Sequence, residues 1–352
     1  MLNNQINFVT TNKLIATLQE LQLVRLAANK LRLNSLPLWF WNLPKLSWVA
    51  IAGNINDSDD NVAQPTYNTI EWTDLDIMEK LGEGASGIIY RAKWRSNNIS
   101  NANLICEALD DDDKNFVAVK LFKGGRTSDG LPEDEMKAAE AAGKHTSSFE
   151  VFGRIVNAPN DQLGLVMPLI PSNYKILGGP PSFATVTRDT FDIDKRFELQ
   201  NVLKILTGIS SVCDHLHKRG ISHGDLYAHN ILVSSEGSCL LSDFGASSFY
   251  HKVHRDDVGL SKYGHDSVVE LMSSAMEGFE VRAFGCLMED LLDRISSESA
   301  TFSDNDVYEN ILKNLRSLLL QCTALQLSLR PTFQSIIARL AEITSTFENS
   351  FV

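Results

Sequence analysis

The sequence predicts an α+β protein in which a small strand-rich lobe precedes a larger helical lobe, with a short repeat segment ahead of both. Alternating and β-branched residues cluster between positions 74 and 122, and helical spacing of apolar residues dominates after residue 190. A leucine pattern recurs before residue 55. The 352 residues exceed one average domain and suggest two or three, each with its own core.

The bulk composition is that of an acidic globular protein. Hydrophobic residues make up 43% of the chain, charged residues make up 22%, and the formal net charge is −12. Sequence-independent binding to nucleic acid or to an anionic membrane needs clustered Lys and Arg. We therefore expect neither nucleic acid nor a membrane as a partner.

Cysteine usage and apolar runs predict a cytoplasmic protein. The five cysteines stand far apart without a C-x-x-C pair, which argues against a zinc site and a disulfide framework and is typical of a reducing compartment. The first residues lack a signal pattern. The most apolar run, residues 36–53, is interrupted by Pro37, Pro44 and Lys45 and does not predict a clean membrane span.

Residues 21–54 contain an internal repeat. The segments LQLVRLAAN (21–29) and LSWVAIAGN (46–54) share L-x-x-V-x-(L/I)-x-x-N at a period of 25 residues. The pattern resembles the leucine-rich repeat, an α/β solenoid unit. Asn29 and Asn54 would then hydrogen-bond backbone groups that a tight turn leaves unpaired. Short strands would direct four apolar side chains into the solenoid core, those of Val24, Leu26, Val49 and Ile51.

Two interpretations of this segment remain open. It is either a repeat pair or an amphipathic helix followed by an irregular apolar loop. Only about two repeats are visible in residues 1–56, whereas solenoids usually need at least three. A repeat pair therefore either ends a longer array or packs against the next domain.

A linker and two lobes are predicted after the repeats. Residues 57–73 begin with the polar stretch DSDDNVAQPTYNT and form the linker, followed by a small lobe over residues 74–170 and a large lobe over residues 171–352. Three strands are predicted from TDLDIMEKLGEG, SGIIYRAKW and FVAVKLF. Helices are predicted over residues 132–144, 199–220, 280–295, 307–322 and 331–347.

The first chemical motif is LGEGASGIIYRA, in which Gly82, Gly84 and Gly87 form G-x-G-x-x-G. The glycines lie between two predicted strands, without the helix and ribose-binding acid that a Rossmann site requires. Between strands they form a flexible flap whose backbone N–H groups can approach phosphate oxygens, because no Cβ intervenes. A glycine-rich hairpin without a ligand is the alternative for this motif taken alone.

The second motif is VAVK, which ends in Lys120. A lysine that ends an apolar strand needs a partner for its ammonium group, either phosphate oxygens or a carboxylate. Glu135, in the helix that begins near Pro132, is the best-placed carboxylate, and Glu133 and Glu140 are weaker candidates. The alternative is an exposed lysine beside a solvated acidic helix.

The third motif is ISHGDLYAHNILV, residues 221–233, which SDFG follows. Asp225 can accept the proton of an attacking hydroxyl or orient that hydroxyl. Asn230 has an amide oxygen suited to Mg²⁺, and Asp243 can bridge Mg²⁺ to phosphates. Phosphoryl transfer needs a positioned hydroxyl and cations on the phosphates. These side chains are of the types that can meet both requirements.

Taken together, the motifs resemble the protein kinase family in order and spacing. The segment EVRAFGCLMEDLL (280–292) is similar to the family's D-V-W-S-F-G-C-x-L-x-E-L helix, and SLRPTF (328–333) is similar to its R-P-T-F. The likeness covers roughly residues 74–345. It implies a two-lobed protein-kinase-like fold with ATP and Mg²⁺ in the cleft between the lobes.

The resemblance also implies individual roles. Asp225 would be the catalytic base, and Lys120, held by Glu135, would anchor the phosphates. Asn230 and Asp243 would bind Mg²⁺. The nucleotide would be bound by the glycine loop, the neighbouring strands and the segment between the lobes, through Gly82, Glu83, Gly84, Gly87, Ile89, Ala118, Lys120, Met167, Leu169 and Ile170.

The resemblance implies that residues 223–230 are the catalytic loop, as they are called below, and this loop departs from the family pattern. Gly224 replaces the arginine that usually receives an activation-loop phosphate, so regulation is expected from the repeats or a partner instead. Tyr227 stands where Ser/Thr kinases usually carry a lysine, and His229 stands where tyrosine kinases often carry an arginine. A missing cation on the transferred phosphate can cost a large factor in rate.

Two more expectations concern the chain after the SDFG motif. Glu270 or Glu277 is expected to pair with Arg330, as the glutamate of the family's A-P-E motif does. Potential phosphate acceptors, which are alternatively plain polar loop residues, are Ser247, Ser248, Tyr250 and Tyr263.

Three functions are compatible with the catalytic loop. The sequence favours an ATP- and Mg²⁺-dependent protein kinase that phosphorylates a protein substrate, on Ser or Thr, and binds a protein partner through its repeats. H-G-D-L-x-x-x-N is also typical of small-molecule kinases such as the aminoglycoside phosphotransferases, but these do not explain residues 280–292 and 328–333. A pseudokinase scaffold is the third possibility, although decayed kinases usually lose at least one of four residues that are present here, Lys120, Asp225, Asn230 and Asp243.

Overall fold

The computed structural model describes residues 18–33, 36–54, 68–95, 116–185, 187–250, 266–296 and 305–350. Residues 1–17, most of the expected linker and Tyr263 lie outside these ranges. Within them, no helix is long and apolar enough to cross a membrane.

Residues 18–33 and 36–54, called the N-terminal segment below, contain two short parallel strands. Strands β1 (Leu23–Arg25) and β2 (Trp48–Ala50) pair with Leu23 opposite Trp48, an offset equal to the 25-residue period of the repeat. Asn29 and Asn54 make the expected hydrogen bonds to the backbone, because both amide nitrogens donate to the carbonyl oxygen of Leu26, each at 2.9 Å.

The core of the N-terminal segment is shared with the large lobe. Val49 and Ile51 are buried as expected, and Val24 and Leu26 are partly buried. They pack in one cluster with residues far along the chain, namely Tyr250, Met272, Ala275, Met276 and Phe279. Trp41 stacks on Phe279 with ring centroids 6.5 Å apart. The two strands therefore pack against the next domain.

The small lobe is a six-stranded sheet with one helix. Its strands are β3 (Thr69–Glu71), β4 (Leu75–Glu83), β5 (Gly87–Trp94), β6 (Phe116–Phe122), β7 (Gly153–Val156) and β8 (Gly164–Pro168), in the order β3-β7-β8-β6-β5-β4. Helix α1 (Pro132–Ala142) begins with proline and three acids and ends before Gly143, whose φ is +64°. The three strands predicted from sequence are β4, β5 and β6.

One boundary differs from the prediction. Residues 69–71, placed in the linker from sequence, form β3, which pairs in parallel with β7. The side chain of Ile70 is buried in the small-lobe core, and the flanking Thr69 and Glu71 are exposed, which is the pattern of a strand with one buried face. Three residues are too short for that alternation to be recognised in the sequence.

The large lobe is helical, with two small antiparallel sheets. Its helices are α2 (Leu199–Lys218), α3 (Asp266–Leu292), α4 (Asn305–Cys322) and α5 (Phe333–Asn349). The first small sheet contains β9 (Lys175–Ile176), β11 (Ile231–Val233) and β12 (Cys239–Leu241), and the second contains β10 (Ile221–Ser222) and β13 (Ser248–Phe249). The catalytic loop lies between β10 and β11, and the SDFG segment lies between β12 and β13.

Helix α3 begins earlier than the sequence predicted. The prediction started at residue 280, whereas the helix begins at residue 266. Met272, Met276 and Phe279 on its first half are buried against the N-terminal segment. That apolar face is stabilised by a part of the chain more than 200 residues earlier, so local periodicity alone did not reveal it.

Candidate active site

The glycine loop connects β4 and β5 as a tight flap. The Gly84 N–H donates to the carbonyl oxygen of Gly87 at 2.9 Å. A Cβ added at Gly82 or Gly84 would meet nothing within 4 Å, whereas one at Gly87 would lie 2.7 Å from the carbonyl oxygen of Leu121. Gly82 and Gly84 therefore leave an open backbone surface, and Gly87 is required by the close approach of β6.

Glu83 ties this flap to the sheet. Its carboxylate forms ion pairs with Lys80 and with Lys123, whose Nζ lies 2.5 Å from Oε1. Hydrogen bonds from Lys123 and Lys80 lower the pKa of Glu83 to about 2. Lys123 also donates to the carbonyl oxygen of Gly84 at 3.0 Å. Lys123 thus connects the carboxylate of Glu83 to the backbone of the loop.

Lys120 and Glu135 form an ion pair between β6 and α1. The ammonium of Lys120 donates to Oε1 of Glu135, which is buried. Burial raises the pKa of Glu135, and the charge of Lys120 opposes that rise. The two weaker candidates are placed elsewhere, because Glu140 pairs with Arg154 at 2.6 Å and Glu133 is exposed.

The strands on either side of β6 carry the other residues predicted to bind the nucleotide. Ile89 on β5 lies opposite Lys120, and Ala118 on β6 lies opposite Met167 on β8. Ala118 is buried, whereas Met167 is half-buried. Leu169 and Ile170 directly follow β8 and are also half-buried. The residues predicted to contact the nucleotide base are therefore on β6, the strand that carries Lys120, or on and directly after its two neighbours, β5 and β8.

The catalytic loop brings Asp225 and Asn230 into contact. The amide nitrogen of Asn230 donates to the backbone oxygen of Asp225 at 2.9 Å and to its Oδ2 at 3.0 Å. Burial raises the pKa of Asp225, and the positive charge of Arg25 opposes that rise. Because the amide nitrogen of Asn230 makes these hydrogen bonds, its amide oxygen is the atom that could bind a cation.

Asp243 has a left-handed backbone conformation, with φ +61°. Its Oδ1 accepts a hydrogen bond from the Gly245 N–H at 3.1 Å. A Cβ added at Gly245 would lie 3.1 Å from Asp243 Oδ1 and 3.6 Å from Glu135 Oε2. Both carboxylates therefore flank Gly245, which brings the SDFG segment next to the Lys120–Glu135 pair.

Glu280 on α3 is buried and holds the backbone of the catalytic loop. Its carboxylate accepts hydrogen bonds from the backbone N–H groups of His223, at 3.2 Å, and Gly224, at 2.9 Å. Nε2 of His217 lies 2.6 Å from Oε2. Burial alone would raise the pKa of Glu280, but the charge and hydrogen bond of His217 outweigh it and lower the pKa. The sequence motif indicated this helix but not this role of its glutamate.

The N-terminal segment also reaches the site, which sequence reasoning missed. Nη2 of Arg25 lies 3.6 Å from Oδ1 of Asp225. Trp48 stacks on Tyr227 with ring centroids 4.4 Å apart. No local motif marks these contacts, because each joins residues about 180 to 200 positions apart. The only signal in the sequence was the shortness of the repeat segment, which suggested packing against another domain.

Arg330 contacts the backbone of the N-terminal segment and of α3. Its guanidinium donates to the backbone oxygens of Gly278, at 2.8 Å, and Pro44, at 2.5 Å. Glu277 accepts a hydrogen bond from the Phe333 N–H at 3.0 Å, and the side chain of Glu270 lies outside the described part of the chain. Burial lowers the pKa of Arg330 to about 10.

Three of the potential phosphate acceptors are buried. Ser247 and Ser248 are each 1% exposed and Tyr250 is 4% exposed. Ser247 donates to the carbonyl oxygen of His223, and the Tyr250 hydroxyl lies 2.6 Å from Nδ1 of His217. These three side chains are buried next to the catalytic loop, so in the folded chain they are not accessible as phosphate acceptors, and they do not form a plain polar loop.

Comparison with known proteins gives a consistent match. The family model described as protein tyrosine and serine/threonine kinase matches residues 75–340. This range corresponds to the resemblance that the motifs predicted, which is thereby confirmed.

Curated relatives are kinases of both acceptor classes. The chain is 24% identical to ephrin type-B receptor 4a of Danio rerio over 76% of this chain and 26% of the relative. It is 24% identical to probable serine/threonine-protein kinase gdt4 of Dictyostelium discoideum over 82% of this chain and 17% of the relative. It is also 24% identical to cyclin-dependent kinase 11.1 of Caenorhabditis elegans over 50% and 22%, respectively. The chain thus spans about a quarter or less of the length of these relatives.

Proposed function

Because the chain belongs to the protein tyrosine and serine/threonine kinase family, we propose that it transfers the γ-phosphate of ATP to a protein hydroxyl in a Mg²⁺-dependent reaction. The observation that carries this proposal is the Lys120–Glu135 ion pair, which lies next to Asp243 and next to the glycine loop, where a Cβ added at Gly87 would be 3.3 Å from Cε of Lys120. A lysine held by a buried carboxylate keeps a defined position for contact with phosphates.

The positions of individual groups support the proposed catalytic roles. Asp225 accepts or orients the proton of the acceptor hydroxyl, and its hydrogen bond to Asn230 fixes the carboxylate. Lys120 neutralises charge on the phosphates. The open backbone at Gly82 and Gly84 allows N–H groups to approach phosphate oxygens without a Cβ between them.

The residues present fit a magnesium ion. Asn230 would offer its amide oxygen, since its nitrogen is bonded to Asp225, and Asp243 would offer a carboxylate oxygen. Oxygen ligands of this kind are the ones that Mg²⁺ prefers. When bound, the ion would neutralise phosphate charge. The protein itself contributes the orientation of these two side chains, which the hydrogen bonds to Asp225 and Gly245 maintain.

We further propose Ser or Thr as the acceptor and a leucine-rich-repeat pair as the N-terminal segment. Relatives of both acceptor classes are similar to the chain, so the acceptor rests on the sequence interpretation above. The 25-residue strand offset and the bonds of Asn29 and Asn54 support the repeat proposal. Residues 1–56 would then precede a linker and a kinase domain of two lobes divided near residue 170, and the outer face of the repeats would bind a protein partner.

A transfer assay tests the proposed function. Purified chain is incubated with ATP labelled at the γ-phosphate, Mg²⁺ and a generic protein substrate, beside Asp225→Ala and Lys120→Ala. We expect label on protein that both substitutions abolish, and the labelled amino acid identifies the acceptor class. ATP binding without transfer to protein would contradict the proposal, and transfer to a small hydroxylated acceptor would then indicate a small-molecule kinase.

A further inference from the structure

Both unusual residues of the catalytic loop face the N-terminal segment. Gly224 has φ +76°, and a Cβ there would lie 2.8 Å from the carbonyl oxygen of Val49 and 2.5 Å from that of Ala246. The ring of Tyr227 lies parallel to that of Trp48, with 4° between the planes. The positions that lack the family's arginine and lysine are therefore the positions against which this segment packs.

The segment is firmly attached to the catalytic loop and to β13, the strand that follows the SDFG segment. Nε1 of Trp48 donates to the carbonyl oxygen of Leu226 at 3.0 Å, and the Ile51 N–H donates to Oγ of Ser248 at 3.1 Å. Trp48 and Ile51 are each 1% exposed. Displacing the segment would break these bonds and expose the shared core, so the contact belongs to the folded state and is not a movable lid.

This packing positions the guanidinium of Arg25 next to the catalytic loop. Nη1 is held by Asp129, at 3.0 Å, and by the hydroxyl of Ser128, at 2.9 Å. Nη2 lies 3.6 Å from Oδ1 of Asp225, which is an ion-pair distance without a direct hydrogen bond. The side chain remains 35% exposed. Nη1 is thus held by two side chains, whereas Nη2 lies beside Asp225 in a side chain that is partly open to solvent.

We propose that Arg25 is a catalytic residue of this kinase site and supplies the positive charge beside the transferring phosphate that Tyr227 cannot supply. This inference rests on the proposed function. A guanidinium is always charged and binds phosphate oxygens through two parallel hydrogen bonds, which a phenol cannot do. The cation is thus supplied by β1, a strand that precedes the kinase domain in the chain, and not by a residue of the catalytic loop.

In the proposed reaction, Arg25 stabilises negative charge and takes no part in proton transfer. The acceptor oxygen bonds to the γ-phosphorus as the bond from phosphorus to the β,γ-bridging oxygen breaks, and ADP leaves with that electron pair. The proton of the acceptor hydroxyl passes to Asp225. Arg25 exchanges no proton and stabilises the charge on the phosphoryl oxygens. An inhibitory ion pair is the rival explanation, but it would need a release step that the buried attachment of the segment opposes.

The test compares two cations of the same segment. Arg25→Gln removes the charge beside Asp225, and Lys30→Gln removes an exposed charge outside the site. In the phosphate-transfer assay we expect Arg25→Gln to lower kcat on the order of 10²-fold with little change in KM for ATP, and Lys30→Gln to match the wild type. We expect Arg25→Lys to recover part of the loss, because it keeps a charge at this position.

A binding measurement separates chemistry from folding. ADP with aluminium fluoride mimics the transferring phosphoryl group, and ADP alone does not. Titration calorimetry with Mg²⁺ present is expected to show that fluoroaluminate tightens ADP binding in the wild type and Lys30→Gln but much less in Arg25→Gln. Equal affinity of all three proteins for ADP alone would show that the nucleotide site of Arg25→Gln is intact.

Three outcomes would overturn the proposal. Unchanged kcat in Arg25→Gln would show that the charge is not used, and increased kcat would show that the ion pair is inhibitory. A loss of ADP affinity in both Arg25→Gln and Arg25→Lys, with lower unfolding temperatures, would assign Arg25 a structural role. An inactive wild type would instead contradict the proposed function itself. The assay of the wild type beside Asp225→Ala detects this outcome without any Arg25 variant.

Discussion

The indole of Trp48 lies flat on the phenol ring of Tyr227, with ring centroids 4.4 Å apart and planes 4° apart. Tyr227 is only 5% exposed, and burial strongly raises the pKa of its hydroxyl, so the side chain stays neutral at any physiological pH. A catalytic-loop position that carries a cation in many kinases here packs against another part of the chain. The stack therefore links the substitution in the loop to the presence of the N-terminal segment.

Replacing Trp48 tests how much this contact stabilises the fold. Trp48→Ala removes a fully buried indole and its hydrogen bond to Leu226, so we expect the free energy of unfolding to fall by about 3–5 kcal/mol. Leu38→Ala is a matched control in the same segment, because Leu38 is 56% exposed, and we expect a change within about 0.5 kcal/mol. Denaturant unfolding measures both, and equal midpoints would contradict the prediction.

Gly224 is required by the backbone and by its neighbours. Its φ of +76° disfavours any side chain, and a Cβ would overlap two carbonyl oxygens, 2.5 Å and 2.8 Å away. We expect Gly224→Ala to destabilise the protein by about 1–3 kcal/mol. Gly84→Ala, where a Cβ meets nothing within 4 Å, is expected to leave the thermal unfolding midpoint nearly unchanged. A thermally neutral Gly224→Ala would show that the catalytic loop and the N-terminal segment can separate at little cost.

The Lys120–Glu135 pair is expected to matter for activity. In Glu135→Gln the ammonium of Lys120 loses its charged partner and its fixed position, so we expect kcat/KM for ATP to fall by roughly 10²-fold. Glu133→Gln changes an exposed carboxylate on the same helix and is expected to be neutral. Steady-state kinetics at saturating protein substrate compares the two. Similar kcat/KM values for both variants would mean that the contribution of Lys120 to activity does not depend on Glu135.

Glu280 is expected to make the fold sensitive to acid. Its pKa in the folded protein is lower than the ordinary value of 4.5, so its contribution to stability is present above that pH. The contribution is lost as the pH falls from about 4.5 through the lower folded-state pKa. At pH 7, we expect Glu280→Ala to cost about 3–5 kcal/mol, because it leaves buried partners without the carboxylate.

The matching experiment is a series of unfolding curves between pH 7 and pH 3. Glu280→Gln cannot ionise, so its stability is expected to fall less steeply with acid than that of the wild type. Glu348→Gln, at an exposed site, is expected to follow the wild-type curve. Parallel curves for wild type and Glu280→Gln would remove Glu280 as a source of acid sensitivity.

The candidate catalytic residues could be named from the sequence because each belongs to a local pattern. Lys120 ends an apolar strand, Asp225 and Asn230 share one loop, and Asp243 begins SDFG, so their order along the chain is informative without a structure. The Lys120–Glu135 pair could also be inferred, since only three acids on one helix were candidates and the structure selects the buried one.

The contacts of the N-terminal segment could not be predicted in this way. In the sequence, Gly224 and Tyr227 were noted only because they lack the positive charges that the family carries at these positions. In the structure, Gly224 packs against Val49 and Tyr227 packs against Trp48. Packing between residues so distant in the chain leaves no periodic or motif signal. Arg25 was one arginine within a repeat, and only the docking of β1 places it next to Asp225.

The most direct measurement is single-turnover transfer of labelled γ-phosphate by the wild type and by Asp225→Asn, with enzyme in excess over ATP. The substituted side chain keeps the shape and the hydrogen bond to Asn230 but cannot accept the proton of the acceptor. We predict label on protein in the wild type and a rate lower by about 10²–10⁴-fold in Asp225→Asn. Equal transfer by both proteins, or none by either while ATP binds, would contradict catalysis at Asp225.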